Sequence, residues 1–489
     1  MNPAEALTHT GIHLQGDPTR VVTKFFVAGQ EDVNPGDSRA APVIQRVLDL
    51  TEADVEAALV DLDERFLSRH VALHDTFRDH AGMLTSRLDG ASDVSPARAL
   101  LLGAAFTNEF AIEGAALCNP SAVLAPVQDD SGDASFVMSV RSIGEGHRSS
   151  VGFRTGRLSA AGAVTVDEPS PFPILAGATP ALNHRLVFHA RLAALGGELE
   201  STLFVLDELP DRFDDEQLRT RFAALTADDA TRTHVDEIIR RMRALSRSSY
   251  TVEFPPASSI SERVLWPQSP AESHGMEDVR FVRFTSDDGS VTYFGTYTAY
   301  DGFEIAQHLL QTDDFRSFEV SPMAGPAAVG KGLALFPRTI EGRYVALSRS
   351  DRETNAIAFS DDLHCWNTSE VIQTPCHPWE IIQLGNCGSP IETEDGWLVL
   401  THGVGAMRTY SIGALLLDLD HPQKVLAHSA QPLLVPAEGH RDGYVPNVVY
   451  SCGGFAHGDT LLLPYGIADK SIGMATVSIS RLLASLTRG

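Results

Sequence analysis

The chain repeats one local pattern five times: a short apolar run, a tight polar turn, and a second apolar run that ends in small or polar residues. The five stretches span residues 122–141, 280–301, 335–349, 391–402 and 448–469. Each turn contains a glycine, which adopts positive φ at little cost, and this is the strongest local indication of a β-hairpin. The repetition predicts an all-β fold, a five-bladed β-propeller, with a two-sheet sandwich as the competing architecture because the repeats are irregularly spaced.

Other parts of the chain have helical spacing. Apolar residues at helical intervals predict an amphipathic helix over 44–73, and Thr51 followed by Asp54 indicates a helix start. A second helical block is predicted over about 180–250. Residues 1–40 have no such spacing and are predicted to be an irregular arm.

These patterns predict two regions. Residues 1–97 form an N-terminal arm and helical extension, and residues 98–489 form the propeller, with the helical insertion at about 180–250 outside the blades. The apolar face of the inserted helices must be covered by the propeller or by another subunit. The sequence therefore leaves undecided whether the chain forms a homo-oligomer through its helical segments.

Composition narrows the class of protein. The formal net charge of −26 argues against nucleic acid or an anionic membrane as partner, because both require clustered basic residues. We see no secretory signal at the N-terminus and no apolar run long enough to span a bilayer. The five cysteines show no Cys-x-x-Cys spacing, so we expect reduced cytoplasmic thiols, with no disulfide, metal or cofactor.

Three basic residues lie beside or at the ends of predicted hairpins: Lys331, Arg349 and His402. At corresponding points of successive repeats, they would point toward one mouth of a central channel. Arginine and lysine are the usual partners of phosphate. The placement predicts a local anion site on an acidic protein, although each residue taken singly is better explained by a structural ion pair or a satisfied histidine.

A possible acid lies at Glu277 and Asp278, directly before a predicted strand. In a regular strand, alternate residues face the same way, so Asp278 and Arg280 would share a face and Glu277 would point elsewhere. A carboxyl group at the end of a strand can be tuned to donate a proton. From the residues alone, a solvated turn acid is the stronger hypothesis.

Aromatic and acidic side chains also recur near the hairpin ends, as in sugar-binding sites, although aromatic residues in β proteins are mostly core. They are Tyr300, Asp301, Trp379, Glu380, Tyr444, Tyr465 and Asp469.

At this point the sequence resembles glycoside hydrolase family 130, a family of five-bladed propellers that act on β-mannosides, many of them as inverting phosphorylases. The clearest matches are Gly388-Ser389-Pro390-Ile391-Glu392-Thr393, Thr401-His402-Gly403-Val404, Ile412-Gly413-Ala414-Leu415-Leu416-Leu417-Asp418, Val445-Pro446-Asn447-Val448 and Tyr465-Gly466-Ile467-Ala468-Asp469. The resemblance covers roughly residues 115–175 and 255–485.

The resemblance implies roles for individual residues. The aspartate of the family's Glu-Asp-Pro-Arg motif is the general acid and matches Asp278, with valine here in place of the proline. The family's phosphate-binding residues match Lys331, Arg349 and His402, and a fourth, a lysine, is replaced by Gln383. Residues matching the mannose subsite or the adjoining phosphate pocket are Asn119, Arg141, Asp301 and Asp469.

The resemblance therefore implies phosphorolysis of a β-linked, mannose-containing oligosaccharide to α-mannose 1-phosphate, with inorganic phosphate as co-substrate. Gln383 weakens anion capture without removing it, because a charge-assisted hydrogen bond is roughly twice as strong as a neutral one. The first alternative is an inverting hydrolase, with Glu380 or Asp442 as the base that activates water. The second is a noncatalytic sugar-binding propeller, although such a protein would be expected to lose Asp278.

Overall fold

The structure, a computed structural model, describes residues 2–27, 40–84, 94–194, 199–227 and 235–488. The described residues are mostly β-strand, with several helices. Parts of the predicted arm, at 28–39, and of the predicted helical insertion, at 195–198 and 228–234, lie outside the described residues. None of the described helices is long and apolar enough to cross a membrane.

The described helices are α1 Ala40–Leu48, α2 Glu52–Phe66, α3 Leu73–Met83, α4 Pro96–Ala105, α5 Arg185–Ala194, α6 Leu199–Leu206, α7 Asp215–Ala227, α8 Val235–Ser246 and α9 Ile479–Ser485. The helices form two groups along the chain, α1 to α4 and α5 to α8, and a short helix, α9, lies near the C-terminus.

The strands occupy most of the remaining chain. They are β1 Leu7–Gln15, β2 Val21–Phe25, β3 Thr107–Ala111, β4 Ala116–Leu124, β5 Ala134–Ile143, β6 Ser149–Leu158, β7 Val164–Val166, β8 Ile174–Leu175, β9 Ala178–Pro180, β10 Asn183–His184, β11 Arg212–Phe213, β12 Tyr250–Glu253, β13 Arg263–Leu265, β14 Gly275–Thr285, β15 Val291–Tyr300, β16 Ile305–Thr312, β17 Ser317–Pro322, β18 Ala334–Leu335, β19 Tyr344–Ser348, β20 Asn355–Ser360, β21 Ser369–Gln373, β22 Gln383–Asn386, β23 Ile391–Thr393, β24 Gly396–Gly405, β25 Thr409–Leu417, β26 Val425–His428, β27 Val449–Tyr450, β28 Phe455–His457, β29 Thr460–Ile467, β30 Ser471–Ser478 and β31 Thr487–Arg488.

The chain forms two compact units. Unit 1 comprises residues 1–16, 115–169 and 175–489, and unit 2 comprises residues 17–114 and 170–174.

Four larger sheets make up most of unit 1. Sheet I has the order β4-β5-β6-β14-β15-β16-β17-β12-β9, and sheet II has the order β18-β19-β20-β21. Sheet III has the order β22-β24-β25-β26-β31, and sheet IV has the order β1-β30-β29-β27. The strands pair antiparallel with their neighbours, except that β14 meets β6 in parallel at the Gly275 and Ser149 pair.

All five predicted hairpins are antiparallel pairs in the structure. The pairs are β4 with β5, β14 with β15, β18 with β19, β23 with β24, and β28 with β29. The turn glycine at residue 289 has φ +82°, which explains why glycine is favoured there. The local signals in the sequence therefore located these strands correctly.

Buried apolar clusters connect each sheet to the next, in the order I, II, III and IV. Leu309 of sheet I and Ala346 of sheet II lie in one buried cluster, and Leu347 of sheet II and Val399 of sheet III lie in another. Further clusters join sheet III to sheet IV, and sheet IV back to β4 and β5 of sheet I. Each sheet thus shares buried apolar clusters with two others.

The predicted irregular arm is wrong for residues 7–15. These residues form β1, which pairs antiparallel with β30 near the opposite end of the chain, from Leu7 opposite Val477 to Gln15 opposite Ser471. Strand β2, at Val21–Phe25, is likewise regular. The pairing partner of β1 is more than 450 residues away in the chain, so local sequence patterns could not show it.

Unit 2 contains α1 to α4 and the β2-β3 pair. Thr51 begins α2, since its hydroxyl accepts a hydrogen bond from the amide of Asp54 at 3.2 Å, as the sequence predicts. The single predicted helix over 44–73 is instead divided into α1 and α2 by this start. Gly103 of α4 lies directly against the backbone of Phe77 in α3, where a Cβ atom would not fit.

The described helices of the 180–250 block form a core of their own within unit 1. Phe188 of α5, Val205 of α6, Phe222 of α7 and Met242 of α8 belong to one buried apolar cluster. The described part of the 180–250 block thus contains the four helices α5 to α8.

Candidate functional site

Two backbone irregularities begin the site. Strand β14 is bulged between Glu277 and Arg280, and Asp278 has φ +57°, an uncommon conformation for a residue other than glycine. Strand β4 is bulged between Cys118 and Ser121, where Asn119 has φ +48°. Left-handed backbone of this kind costs about 1–3 kcal/mol at each position and is concentrated at functional sites in proteins.

The two irregular residues contact each other. The Nδ2 of Asn119 donates a hydrogen bond to Oδ1 of Asp278 at 2.7 Å. The other side-chain atom of Asn119, Oδ1, is buried without a hydrogen-bond partner among the described residues. The bulges thus bring an amide and a carboxylate together and leave one amide oxygen available to a ligand.

Glu277 and Asp278 share one cation, contrary to the prediction that they point apart. Arg141 donates to Oε1 of Glu277 at 2.6 Å and to Oδ1 of Asp278 at 3.2 Å. Lys331 lies 2.5 Å from the other oxygen of Glu277. The bulge breaks the alternation of a regular strand, so consecutive side chains reach the same partner.

The two aspartates of this cluster have opposite pKa shifts. Burial alone would raise the pKa of Asp278, but the charges of Arg141, Lys331 and Arg280 outweigh it and lower that pKa to about 2. Burial, and next the negative charge of Asp278, raise the pKa of Asp469 to about 6. In the free protein at neutral pH, Asp278 is therefore ionised, and Asp469 gains a proton more readily than an ordinary aspartate does.

Arg280 connects this acidic cluster to the next part of the site. Its NH1 donates to the carbonyl of Asp278 at 3.0 Å, its Nε to the carbonyl of Cys387 at 3.1 Å, and its NH2 to the hydroxyl of Tyr450 at 2.7 Å. The side chain is almost completely buried. Arg280 thereby links the backbone of the acid to the loop after β22 and to β27.

Arg349 and His402 come together over Gly385. A Cβ atom at Gly385 would lie 2.4 Å from Nε of Arg349 and 2.7 Å from Cε1 of His402, so a larger residue would displace both. Gly385 is paired with His402 between β22 and β24, which places the imidazole on the same face. At Gly332, next to Lys331, a Cβ atom would lie 2.9 Å from Cδ of Arg349, so the backbone beside the lysine packs against the arginine side chain.

Several nitrogen atoms of this basic pocket lack protein partners. Nε of Arg349 and the side-chain oxygen and nitrogen of Asn386 are buried without a hydrogen bond to any residue that the structure describes, and the ring nitrogens of His402, near the backbone of Asn386, make no hydrogen bond of ordinary geometry. Burial, followed by the charges of Arg349 and Arg280, lowers the pKa of His402 well below its usual value. The imidazole is therefore neutral and offers one N–H donor. Buried polar groups nearly always have partners, so the pocket is suited to a polar ligand.

Comparison with known proteins places the chain in a family. A family model described as beta-1,4-mannooligosaccharide phosphorylase matches residues 245–488. The 1,2-beta-oligomannan phosphorylase of Thermoanaerobacter sp. (strain X514) is 36% identical over 232 residues, which are 45% of this chain and 74% of the relative. The beta-1,2-mannobiose phosphorylase of Listeria innocua is 30% identical over 296 residues, 59% of this chain and 79% of the relative. The chain belongs to glycoside hydrolase family 130.

A solved structure from the family is also similar. The complex of beta-1,2-mannobiose phosphorylase from Listeria innocua with beta-1,2-mannobiose matches with a TM-score of 0.46 and 20% identity, and the match covers 77% of this chain and 93% of that chain.

For a family 130 protein, most of the predicted site residues lie in two adjoining groups. The acidic cluster consists of Glu277 and Asp278 with their partners Asn119, Arg141 and Lys331. Asp469 lies close enough for the charges of Asp278 and Arg141 to shift its pKa. The basic pocket contains Arg349 and His402. Gln383 lies two residues before Gly385 in β22, so its side chain is on the same face of the strand as the pocket.

Glu380 has a local structural contact that sequence analysis did not predict. Its Oε1 accepts hydrogen bonds from the backbone amides of Cys376 and His377, at 3.1 and 3.2 Å, and it is 99% buried in a short 3-10 turn. Asp442, the other residue considered as a base, is exposed. Neither is hydrogen bonded to Asp278 among the described residues.

Tyr465 and Asp301 are placed differently from the acidic cluster. Tyr465 is 3% exposed within the apolar core between sheets III and IV, and its hydroxyl contacts Nδ1 of His9 at 3.1 Å. Asp301 closes a turn by accepting from the amides of Phe303 and Glu304, at 2.8 and 2.6 Å. The structure thus shows a packing role for Tyr465 and a turn role for one oxygen of Asp301.

Arg280, Asn386 and Tyr450 are site residues that the sequence does not predict. For Arg280 the sequence predicts only a shared face with Asp278, although this arginine makes the contacts that join the two groups. Asn386 is 0% exposed although it carries a polar amide. Its position just before the family motif that begins at Gly388 is the feature of the sequence that could have indicated a role in the site. Tyr450 contacts the ring of His402 at a centroid distance of 5.0 Å, which only the folded chain reveals.

Proposed function

We propose that this protein is an inverting glycoside phosphorylase that cleaves β-mannosides with inorganic phosphate and releases α-mannose 1-phosphate. Membership of family 130 supports an enzyme of this class, and the relatives described above are phosphorylases of β-linked mannosides by name. Phosphate is a co-substrate in this proposal, and no further cofactor is needed.

The observation that carries the proposal is the pairing of Arg349 with His402 in a pocket whose buried nitrogens lack protein partners. On a chain of net charge −26, a cation left unpaired at a buried nitrogen is costly unless a ligand completes it. A guanidinium and a neutral imidazole N–H supply several donors directed at one volume, which suits the oxygens of phosphate. Lys331 adds a point charge at the edge of the same pocket, and we propose that Gln383 adds a neutral donor.

In the proposed reaction, Asp278 is the general acid. The proton of its carboxyl group passes to the glycosidic oxygen through a sugar hydroxyl as the bond to the anomeric carbon breaks, and an oxygen of phosphate forms the new bond from the opposite face. Phosphate is already anionic, so the reaction needs no base to activate the nucleophile. This requirement for one carboxyl group fits a site in which Glu380 is engaged in a turn and Asp442 is exposed.

Asp278 must gain a proton before it acts, since its pKa is about 2 in the free protein. We propose that substrate binding raises the pKa of Asp278 and so allows it to gain a proton. A bound phosphate dianion offsets the charges of Lys331 and Arg280, and a bound sugar removes the remaining water, and both effects raise the pKa of a carboxyl group. The raised pKa of Asp469 places a readily protonated carboxyl group nearby.

We propose that the sugar lies over the acidic cluster. The free Oδ1 of Asn119 accepts from a sugar hydroxyl, and Arg141 and Asp469 supply a donor and an acceptor. Asp301 is an outer member of the subsite in this proposal, with its second oxygen as the available group, whereas Tyr465 packs in the core and does not contact the sugar. Replacement of Asn119 by alanine should raise the KM for the sugar more than the KM for phosphate.

We also propose that the sheets of unit 1 are the five blades of a propeller, with sheet I contributing two blades. The order of apolar contacts, I to II to III to IV and back to I, supports this arrangement, as does the pairing of β1 with β30 in sheet IV. An experimental structure with four or six blades would contradict it. Assembly into a homo-oligomer through the helical segments stays a prediction that sedimentation can test.

Action in the cytoplasm is part of the same proposal. The five cysteines are free thiols, four of them buried, which suits a reducing compartment. Fractionation of the source cells tests this location.

The experiment that tests the function is a phosphate-dependence assay. The protein is incubated with β-1,2- and β-1,4-linked mannooligosaccharides, with phosphate and in phosphate-free buffer, and the anomeric form of the product is followed by NMR. We expect α-mannose 1-phosphate only with phosphate. Free mannose released at an equal rate without phosphate would select the hydrolase, with Glu380 and Asp442 the next residues to test, and no cleavage of any mannoside would favour the binding protein.

A further inference from the structure

A cluster of metal-ligating side chains lies outside the proposed site. Cys376, His377 and His428 each offer one ligand atom, and these three atoms all lie within 4.8 Å of one another. Cys376 and His377 precede the 3-10 turn Pro378–Glu380, and His428 ends β26. No spacing motif in the sequence indicates this cluster, because it combines the adjacent Cys376 and His377 with His428, 51 positions after His377.

The two imidazoles lie close together. The rings of His377 and His428 face each other at 29° with a centroid distance of 5.5 Å. Nε2 of His377 is buried and has no hydrogen-bond partner among the residues described. A buried nitrogen without a partner beside a second imidazole and a thiol is the observation that points to a missing ligand.

We propose that Cys376, His377 and His428 bind one Zn²⁺ ion. One thiolate and two imidazoles form a ligand set that zinc prefers, and a tetrahedral ion with three protein ligands leaves the fourth position to water. On binding, the Zn–S bond forms and the thiol proton of Cys376 passes to the buffer. Glu380 accepts from the amides of Cys376 and His377, and so fixes the backbone that presents two of the ligands.

The ion would join the loop before β22 to the end of β26. The same loop carries Trp379, whose indole lies directly against Gly403 and Gly413, so that a Cβ atom at either glycine would not fit. Gly403 follows His402 of the basic pocket. Zinc therefore ties down the segment that packs beside the pocket, while its own ligands are separate from the residues proposed to bind phosphate.

The test is direct metal binding by the full chain without a polyhistidine tag, after removal of metal by a chelator. Zn²⁺ is titrated in competition with a chromophoric chelator, and Co²⁺ is used as a second probe because a thiolate ligand gives a charge-transfer absorption band. We expect one equivalent of tightly bound Zn²⁺, the cobalt band, and a higher Tm with Zn²⁺ present.

The variants are Cys376→Ser and His428→Gln, with Cys365→Ser and the exposed His421→Gln as matched controls. Loss of a ligand should weaken zinc binding by more than the roughly 10- to 100-fold that loss of an outer partner costs, while the controls bind as the unsubstituted protein does. Unchanged Tm values without metal would show that both variants fold. Absence of a cobalt band in the unsubstituted protein, or equal Zn²⁺ affinity in folded Cys376→Ser, would overturn the proposal.

Discussion

Arg141 and Arg349 are both guanidinium groups of the candidate site, but only Arg141 is matched by carboxylates. Arg141 donates to Glu277 and Asp278, whereas Nε of Arg349 is buried without a partner in the described part of the chain. The two carboxylates beside Arg141 are thus paired within the protein, whereas Nε of Arg349 in the basic pocket is not. We infer that Arg141 positions the acid and that Arg349 binds the anion.

The first and largest test of this comparison is Asp278→Asn. We expect turnover to fall by about 10²- to 10⁴-fold, because a positioned general acid contributes that much, while the fold is kept by a nearly isosteric amide. Kinetics with a β-mannoside and phosphate measure the loss, and circular dichroism checks the fold. Asp130→Asn, in an exposed hairpin turn, is the control and should be fully active. Undiminished turnover in folded Asp278→Asn would exclude this residue as the acid.

The bulges limited what the sequence could predict about this acid. The hairpins were recognisable because glycine turns and alternating apolar residues are local signals, and all five are present. The shared contact of Glu277 and Asp278 with Arg141 could not be recognised in the sequence, because it depends on the left-handed backbone of Asp278. Nothing in the letters Glu-Asp-Val-Arg distinguishes a bulged strand from a regular one.

Long-range pairing limited the prediction in the same way. Gly385 reveals its function only when Arg349 and His402 are seen to occupy the space beside it. The N-terminal strand β1 was expected to be irregular because its partner, β30, is at the other end of the chain. The sequence located most of the residues of the site through the family resemblance, and the structure was needed to show which of them are paired and which are not.

The second test is Arg141→Gln, which should destabilise the fold. Removal of this arginine leaves Glu277 and Asp278 without a shared cation, and breaking a mostly buried ion pair costs roughly 3 kcal/mol. Denaturant unfolding measures the free energy of unfolding. Arg157→Gln removes an arginine from the exposed pair with Asp129 and should change stability by less than about 1 kcal/mol. Equal losses in the two variants would contradict a special role for the Arg141 contacts.

The third test is pH dependence, which separates the two aspartates. Asp469 has a pKa of about 6 in the folded protein against 3.8 ordinarily, so folding favours its protonated form. Its contribution to stability is therefore present at low pH and is lost as pH rises from about 4 to about 6, up to about 3 kcal/mol at 1.4 kcal/mol per pKa unit. Asp278, with a pKa of about 2, contributes in the opposite sense, and its contribution is lost as pH falls from about 4 to about 2.

Asp469→Asn isolates the first of these effects. The difference in unfolding free energy between Asp469→Asn and the unsubstituted protein should shift in favour of the variant as pH rises from 4 to 6, and should then stay constant to pH 8. Urea unfolding at several pH values measures this difference. A difference that does not vary with pH would show that the pKa of Asp469 is not raised.

The fourth test is Arg349→Gln, which should affect phosphate and not the fold. A hydrogen bond to a charged group contributes about 1.5–3 kcal/mol, so the KM for phosphate should rise roughly 10- to 100-fold. Stability should be unchanged or slightly higher, because the variant removes a cation with a buried, unpaired nitrogen. Initial rates at varied phosphate give the KM, and Arg352→Gln, an exposed arginine three residues on, is the control. A large loss of stability in Arg349→Gln would mean that this arginine, like Arg141, is structural.

The smallest expected effect comes from Gln383→Lys, which extends the basic pocket. Gln383 faces the same side of β22 as Gly385, and a lysine there would convert a neutral hydrogen bond to phosphate into a charge-assisted one, about twice as strong. A gain of about 1 kcal/mol corresponds to a fall of roughly fivefold in the KM for phosphate. Gln423→Lys adds the same charge at an exposed position in the turn before β26 and should leave that KM unchanged. If both variants lower it equally, the gain reflects long-range attraction on an acidic protein, and Gln383 is not part of the anion pocket.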